Sequence, residues 1–219
     1  MSMPMSPMPM AGESWLGAAA SFIGMWLVMM AAMMLPSLVP ELWRYREAVG
    51  RTGGVRPGRL TALAGAGYFT VWAVVGVIVY ALGIALAALT TRHPVLEGAA
   101  PVAGGSVISI AGVYQFTRWK ARHLACCRAV PGLGQKLHAS SGAAWRHGLL
   151  HGLHCASGCA GLTAILLVIG MMDPRAMTAV AAAITAERLA PAGERVARII
   201  GMAAIVVGLV FLVHAMMIA

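Results

Sequence analysis

Charged residues, aromatic residues and catalytic motifs are all scarce in this chain of 219 residues. Only 11% of the residues are charged and 6% are aromatic, whereas 60% are hydrophobic and the mean hydropathy is +0.81. Soluble domains carry about 25% charged residues, so this composition excludes a soluble domain and indicates a membrane protein. The sequence also lacks a Walker A loop, a nucleophile elbow and an HExxH motif. We therefore do not expect an enzyme.

Acidic residues are few as well, with seven Asp and Glu against sixteen Lys and Arg, and the formal net charge is +9. Fourteen of the sixteen basic residues lie in three alternate connecting segments, and only Arg92 and Arg175 lie in the others. Cytoplasmic loops of membrane proteins carry an excess of Lys and Arg. Membrane topology therefore explains the charge, with no nucleic-acid partner and with both termini outside.

Six apolar runs alternate with these segments, and about 20 residues are needed to cross a bilayer as a helix. Four runs are long enough, the third is short, and the fifth crosses only with its flanking residues. The runs are 15–35, 60–89, 101–116, 148–172, 176–186 and 199–219. The sequence thus predicts an all-α polytopic transmembrane bundle of about six helices, one or two of them short. A single domain over residues 15–219 follows a flexible Met/Pro-rich tail of residues 1–14.

Methionine is abundant near the N-terminus. The tail begins MSMPMSPMPM, and the first apolar run places Met25, Met29 and Met33 on one helical stripe, with Met30 and Met34 on a second. Thioether is a soft, neutral ligand that prefers Cu(I). Methionine is also a flexible packing residue suited to helix contacts. The pattern indicates either a copper pathway or adaptable packing.

The strongest indication of chemistry lies in the fourth run. His147, His151, His154, Cys155 and Cys159 fall within an arc of about 140° on a helix. Imidazole and thiolate bind borderline and soft metals, and ionisable groups inside a bilayer indicate function by default. The five positions cover about 18 Å along the helix, so they cannot all bind one ion. We predict one metal site around His151, Cys155 and Cys159, or a ladder of sites.

A second group of ligands precedes this run. His123, Cys126 and Cys127 lie in a basic segment, and a His and a Cys four residues apart share one face of a helix. A reducing cytoplasm favours free thiols or metal ligands over disulfides. We predict that these three residues bind metal at the cytoplasmic end. The alternative is a basic helix that lies on anionic lipid.

Other residues predict local structure. We expect Pro36 and Pro40 to end or kink the first helix, because proline removes a backbone donor and clashes with the preceding turn. Asp173 is expected to cap the fifth helix ahead of a proline. Glu187 is expected to pair with a nearby arginine at the inner interface.

Several stretches of the chain resemble the bacterial family DUF2182, integral membrane proteins described as predicted metal-binding. The similar stretches are Met25-Trp26…Met29-Met30-x-x-Met33-Met34-x-Pro36, Tyr114-Gln115-x-Thr117…Lys120…Cys127-Arg128, His151-Gly152-Leu153-x-Cys155…Cys159, Gly170-Met171-Met172 and Glu187-Arg188-x-x-Pro191-x-Gly193. The resemblance implies a multi-helix membrane protein with a metal role and no established activity. The chain departs from the family pattern at His123, Gly158 and Asp173, where Cys, Cys and Asn are common. Its ligand set is therefore shifted toward imidazole.

We interpret the chain as a metal-handling protein of the bacterial inner membrane that transports or stores Cu(I) through Met, His and Cys ligands, with zinc as an alternative metal. Two other interpretations stay open. One is a membrane metallochaperone for a copper client, and the other is a membrane redox protein that uses thiols or haem. The expected partners are the lipid bilayer, the metal ion, and a second copy of the chain or a copper-protein client.

Overall fold

A computed structural model describes residues 14–51, 56–93, 95–128, 140–171 and 173–218. Within these ranges the chain forms α-helices and no strand, so the predicted all-α bundle is confirmed. The helices are α1 (Trp15–Arg51), α2 (Pro57–Arg92), α3 (Val95–Tyr114), α4 (Arg118–Arg128), α5 (Ser141–Ile169), α6 (Pro174–Leu189) and α7 (Gly193–Ile218). Each apolar run corresponds to one helix, and α4 is the basic segment. The predicted tail lies outside the described residues, apart from Ser14.

Four helices are long and apolar enough to cross a membrane, namely α1, α2, α5 and α7. The pair α3 and α4 meets at a bend of 66° and could form a fifth span. Large apolar side chains on α2 and α7 are exposed, including Leu82, Leu86, Val206 and Phe211. A bilayer would cover such a surface, whereas water would not. These features are those of a membrane protein.

The packing of α3 fixes the directions of its neighbours. The first half of α3 contacts the second halves of α5 and α7, and its second half contacts their earlier turns, so α3 runs antiparallel to both. The contacts are Gly104 with Val168, Ala111 with Gly161, Gly105 with Gly208 and Gly112 with Gly201. Because α5 and α7 are parallel, α6 has to return the chain from one end of the bundle to the other. The 16 residues of α6 extend about 24 Å, and this helix is not among the candidate spans.

Glycines bring α5 into close contact with α2. A Cβ atom at Gly148 would collide with the backbone of Ala64, and one at Gly67 would collide with the carbonyl oxygen of Trp145. Residues without a side chain allow two helix backbones to approach this closely. Tyr68, one turn beyond Ala64, is thereby held against α5, where its hydroxyl reaches Cys155.

Pro36 and Pro40 were expected to end or kink the first helix, and they do not end it, because α1 continues through both to Arg51. Each proline costs one backbone hydrogen bond, and the two are four residues apart and therefore share a face. That face is not buried, whereas Ser37 and Leu38 on other faces are 1% exposed. Tertiary packing of the buried face holds the helix together where the backbone alone would not.

Both predicted methionine stripes point toward the core between α1, α2 and α5. Met30 and Met34 are 0% exposed, and Met29 and Met33 are 8% and 3% exposed. The same core contains Trp26, whose indole nitrogen donates a hydrogen bond of 3.0 Å to the carbonyl oxygen of a residue in α2. The methionines of α1 therefore share one interior with the cysteines of α5.

Candidate metal centre

The centre of the bundle holds the two cysteines of α5. Cys155 and Cys159 are one helical turn apart and therefore share a face, and that face turns inward, leaving them 0% and 3% exposed. Their sulfur atoms are 4.0 Å apart. The predicted pairing of these two thiols on one face of a helix is what the structure shows.

Two other helices bring side chains to Cys155. The thioether sulfur of Met34, from α1, lies 3.9 Å from the Cys155 sulfur. The hydroxyl oxygen of Tyr68, from α2, lies 2.9 Å from the same sulfur. Both side chains are at most 1% exposed. Cys155 is thus the point at which α1, α2 and α5 meet through sulfur and hydroxyl contacts.

The spacing of these sulfur atoms suits a single soft metal ion. Two sulfur ligands about 2.3 Å from one ion lie about 3.8 Å apart in a tetrahedral arrangement and about 4.0 Å apart in a trigonal one. The observed separations from Cys155 are 3.9 Å to Met34 and 4.0 Å to Cys159. Two thiols and a thioether are the ligand types that select Cu(I). The ligand types and both separations measured from Cys155 are therefore those expected around one Cu(I) ion.

A third cysteine and a buried cation lie next to this group. Cys127 of α4 is 4% exposed, and its sulfur lies 3.2 Å from Nη2 of Arg188 in α6. The Nη1 atom of Arg188 donates a hydrogen bond of 3.0 Å to Ser37 in α1. Ser37 in turn donates to the carbonyl oxygen of Met34 at 3.0 Å. Arg188 is therefore tied to the turn of α1 that carries the thioether.

A buried ion pair lies beside Arg188 in the sequence. Lys120 and Glu187 are both 2% exposed, and Lys120 Nζ lies 2.7 Å from a Glu187 carboxylate oxygen while also donating to Gln115. The prediction that Glu187 pairs with an arginine is wrong, since α4 brings a lysine to it from 67 residues away. A buried pair needs further hydrogen bonds to offset the loss of water, and Gln115 supplies one. Asp173 caps α6 as predicted, accepting from the Arg175 amide at 2.8 Å.

The three histidines of α5 contact different parts of the bundle, and two of them contact aromatic rings of α1 and α2. The ring of His147 stacks on Tyr45 at 4.6 Å, and His151 lies between His147 at 6.4 Å and Tyr68 at 5.7 Å, measured between ring centroids. The Nε2 atom of His151 is buried and has no hydrogen-bond partner within the described residues. This nitrogen is therefore available to a metal ion, and its role as a ligand stays a prediction.

His154 faces α4 instead. Its ring centroid lies 5.3 Å from that of His123, which also contacts Trp119 at 4.7 Å. The Nδ1 atom of His154 donates to the carbonyl oxygen of Leu150 at 2.7 Å. His123 and His154 thus form a pair on the α4 side of α5, away from the ring contacts of His147 and His151.

The remaining predicted ligands are spread out. Met25 is half-buried on α1, Met29 and Met33 are in the core, and Cys126 is exposed on α4. In the part of the chain that the structure describes, no three His, Cys, Asp or Glu side chains are grouped closely enough to hold one ion. A third protein ligand beside the two thiols would have to be of another type, and the thioether of Met34 is in contact with Cys155.

Three residues of this centre were not predicted as site residues. Met34 belongs to the second methionine stripe, Tyr68 stands in an ordinary apolar run, and Arg188 looks like one more cytoplasmic arginine. The only signal for Arg188 is its place in the stretch Glu187-Arg188-x-x-Pro191-x-Gly193. Tyr68 has no signal, because its role depends on how α2 packs against α5.

Comparisons with known proteins agree with a copper role. A family model described as PpoB2, a copper chaperone, matches residues 23–211 of the chain. No curated protein and no solved structure matches. The metal role implied by the resemblance to DUF2182 is supported, although the matching family carries another name. The match begins within α1, ends within α7 and includes all the residues of the candidate centre, so the chain belongs to the PpoB2 copper chaperone family.

Proposed function

We propose that this protein is a membrane-embedded chaperone that binds Cu(I) between α1 and α5 and passes it to a client. The observation that carries the proposal is the group of three sulfur atoms from Cys155, Cys159 and Met34, with separations of 3.9 and 4.0 Å from Cys155. All three side chains are at most 3% exposed. We call these three residues the sulfur triad.

The neighbours of the sulfur triad support this function. Tyr68 contacts the Cys155 sulfur and, as a partner outside the ligand set, fixes where that sulfur points. The thioether requires no deprotonation, whereas the thiols lose protons when they bind metal. A site of mixed thiol and thioether sulfur favours Cu(I) over the harder divalent ions.

Metal analysis of the purified protein tests the proposal. The full-length chain in detergent is incubated with Cu(I) under reducing, anaerobic conditions, or with Zn(II), and then freed of unbound metal. We expect one Cu(I) per chain and little zinc. A preparation that retains no copper, or that retains zinc preferentially, would contradict the assignment.

Inward transport is the second candidate function, because α1 carries further thioethers along its length. Met25, Met29 and Met33 recur at every turn, at steps of about 6 Å. Thiols bind Cu(I) more tightly than thioethers, so an ion entering along this stripe would gain affinity as it moves toward Cys155 and then toward His123 and Cys127. The tail methionines that would begin this path lie outside the described residues.

Copper uptake into vesicles separates the two candidates. A transporter reconstituted into the membrane of sealed vesicles accumulates copper in the lumen, whereas a chaperone binds only a stoichiometric amount of copper. Replacing Met29 and Met33 by Leu keeps the side-chain volume and apolarity. If transport occurs, that variant should accumulate copper more slowly than the parent, and deletion of residues 1–10 should slow uptake only at low copper.

We also propose the inner membrane as the location, with both termini outside. The asymmetry of Lys and Arg supports this orientation, and so does the alternation of helix directions, in which α6 returns the chain between the parallel helices α5 and α7. Reporter fusions at Gly54 and Gly134 should report cytoplasm, and one at Ala219 should report the outside. A cytoplasmic C-terminus would contradict the proposed topology.

A further inference from the structure

Arg188 is a buried cation without a carboxylate partner. Its side chain is 8% exposed, and within the described residues no Asp or Glu oxygen lies within 4.0 Å of its guanidinium group. Glu41 and Glu187 interact with Arg188 only at longer range, and each is paired with another cation, Arg44 or Lys120. An uncompensated buried charge is strongly destabilising. The interior therefore holds one positive charge that the described contacts do not balance.

The guanidinium group faces the cysteines. It contacts the sulfur of Cys127 directly, and its charge acts on Cys155, Cys159 and Tyr68. Guanidinium stays protonated in proteins, so the charge is permanent. Ser37 accepts a hydrogen bond from it and holds it beside the turn that carries Met34. The arrangement places a fixed cation next to groups that become anionic when metal binds.

The net charge of the occupied site differs between monovalent and divalent metal ions. Two thiolates with a monovalent ion carry a net charge of −1, which Arg188 brings to zero. Two thiolates with a divalent ion are already neutral, and Arg188 leaves a net charge of +1. In an interior of low dielectric constant an excess charge is far more costly than in water.

We infer that Arg188 determines the specificity of the sulfur triad, favouring a monovalent soft ion over a divalent one through the balance of buried charge. The inference rests on the proposed function, since it takes Cys155 and Cys159 as the metal-binding thiols. It adds the class of ion that the centre accepts and the residue that selects it.

The test compares the affinities of the full-length protein in detergent for Cu(I) and Ag(I) with those for Zn(II) and Cd(II). Replacement Arg188→Met removes the charge and keeps an unbranched side chain. We expect its affinities for Cu(I) and Ag(I) to fall about tenfold to hundredfold, the range for residues outside the ligand set. Its affinities for Zn(II) and Cd(II) should stay constant or rise. Arg188→Lys keeps the charge and should retain the parent's preference.

Two further variants guard against a purely structural effect. Ser37→Asp places a carboxylate beside the guanidinium group and should cancel its charge without removing it, so it should weaken the monovalent preference as Arg188→Met does. Arg195→Met removes an exposed arginine of α7 and should behave like the parent. Thermal unfolding of each variant identifies loss of the fold, and Ser37→Asp carries the test if Arg188→Met does not fold.

The outcomes separate the inference from the proposed function. If the parent binds neither Cu(I) nor Ag(I), the proposed function fails, and the inference fails with it. If the parent binds both but Arg188→Met and Ser37→Asp leave the ratio of monovalent to divalent affinity unchanged, only the inference is overturned. A parallel loss for all four ions would likewise show that Arg188 supports packing alone.

Discussion

The protein contains two pairs of cysteines that differ in their spacing along the helix and in their burial. Cys155 and Cys159, four residues apart on α5, are both buried with their sulfur atoms 4.0 Å apart. Cys126 and Cys127, adjacent on α4, separate into one exposed and one buried thiol. Adjacent helical residues point about 100° apart, whereas residues four apart lie on one face. Spacing therefore decides which pair can chelate an ion.

The two buried thiol positions differ in their direct contacts. Cys155 contacts the neutral side chains of Met34 and Tyr68, and Cys127 contacts the guanidinium group of Arg188. The thioether of Met34 adds a soft ligand beside Cys155, whereas the Cys127 sulfur is occupied by its direct contact with Arg188. We expect the α5 pair to bind copper, with Cys127 outside the resting ligand set.

Removing the α5 pair should have the largest effect. Cys155→Ser with Cys159→Ser replaces both thiols by hydroxyls, which do not bind Cu(I) tightly. We expect Cu(I) affinity to fall by more than the factor of about 100 that changes outside the ligand set produce. Competition with a Cu(I) chelator measures it, and Cys126→Ser is the matched control. Unchanged copper stoichiometry in the double variant would refute the assignment of these thiols.

Replacing the thioether should have a moderate effect. Met34→Leu keeps volume and apolarity, so it should change stability by less than about 1.5 kcal/mol. Loss of one neutral ligand should weaken Cu(I) binding by about tenfold, the lower end of the range known for supporting groups. The same competition measures it, with Met25→Leu, further along α1, as control. Equal affinities for the two variants would mean that Met34 only packs.

Changing Cys127 should have a smaller effect on affinity. If Cys127 bound the ion as a third thiolate, the net charge of Cu(I), the three thiolates and Arg188 would be −1, which is unfavourable in the interior. We therefore expect Cys127→Ser to change Cu(I) affinity by less than about tenfold. Stopped-flow transfer to a chelator then shows whether release becomes slower. A loss of copper as large as in the α5 double variant would make Cys127 a ligand.

The reactivity of Cys126 should distinguish it from the other thiols without any mutation. It is the exposed member of its pair, so a water-soluble maleimide should label it in the native protein, while Cys127, Cys155 and Cys159 react only after denaturation. Added Cu(I) should leave the rate at Cys126 unchanged. Protection of Cys126 by copper, measured by mass spectrometry, would place it in a metal site.

Local sequence patterns predicted the helices well. The length of an apolar run and the basic residues of the loops reflect the bilayer, and they do not depend on how the helices pack. They failed where packing decides. Pro36 and Pro40 do not end α1, since its buried faces hold it together through the prolines. Glu187 pairs with Lys120 because α4 folds back on α6, and nothing near Glu187 in the sequence indicates that.

The candidate site shows the same division. The spacing of Cys155 and Cys159 is sufficient to place both thiols on one face, since helical periodicity alone fixes that relation. The histidines of α5 lie within the same 140° arc as the cysteines, but they contact different neighbours. The helical arc therefore predicts more ligands at one site than the structure brings together. Cys126 and Cys127 differ only through the packing of α4, which turns Cys127 toward Arg188.

By itself the sequence determined that the chain is helical, that several of its helices are apolar enough to span a membrane, and that it carries side chains of the types that bind soft metals. Hydropathy and residue type are properties of short segments. Only the tertiary structure decided that Met34 meets Cys155 across 121 residues, that Tyr68 meets it across 87, and that Arg188 reaches Ser37 across 151. These contacts depend on the close approach of α2 to α5 at Gly148 and on the return of α6 through the bundle. Helix packing, which no local pattern encodes, turns four separate segments into one centre.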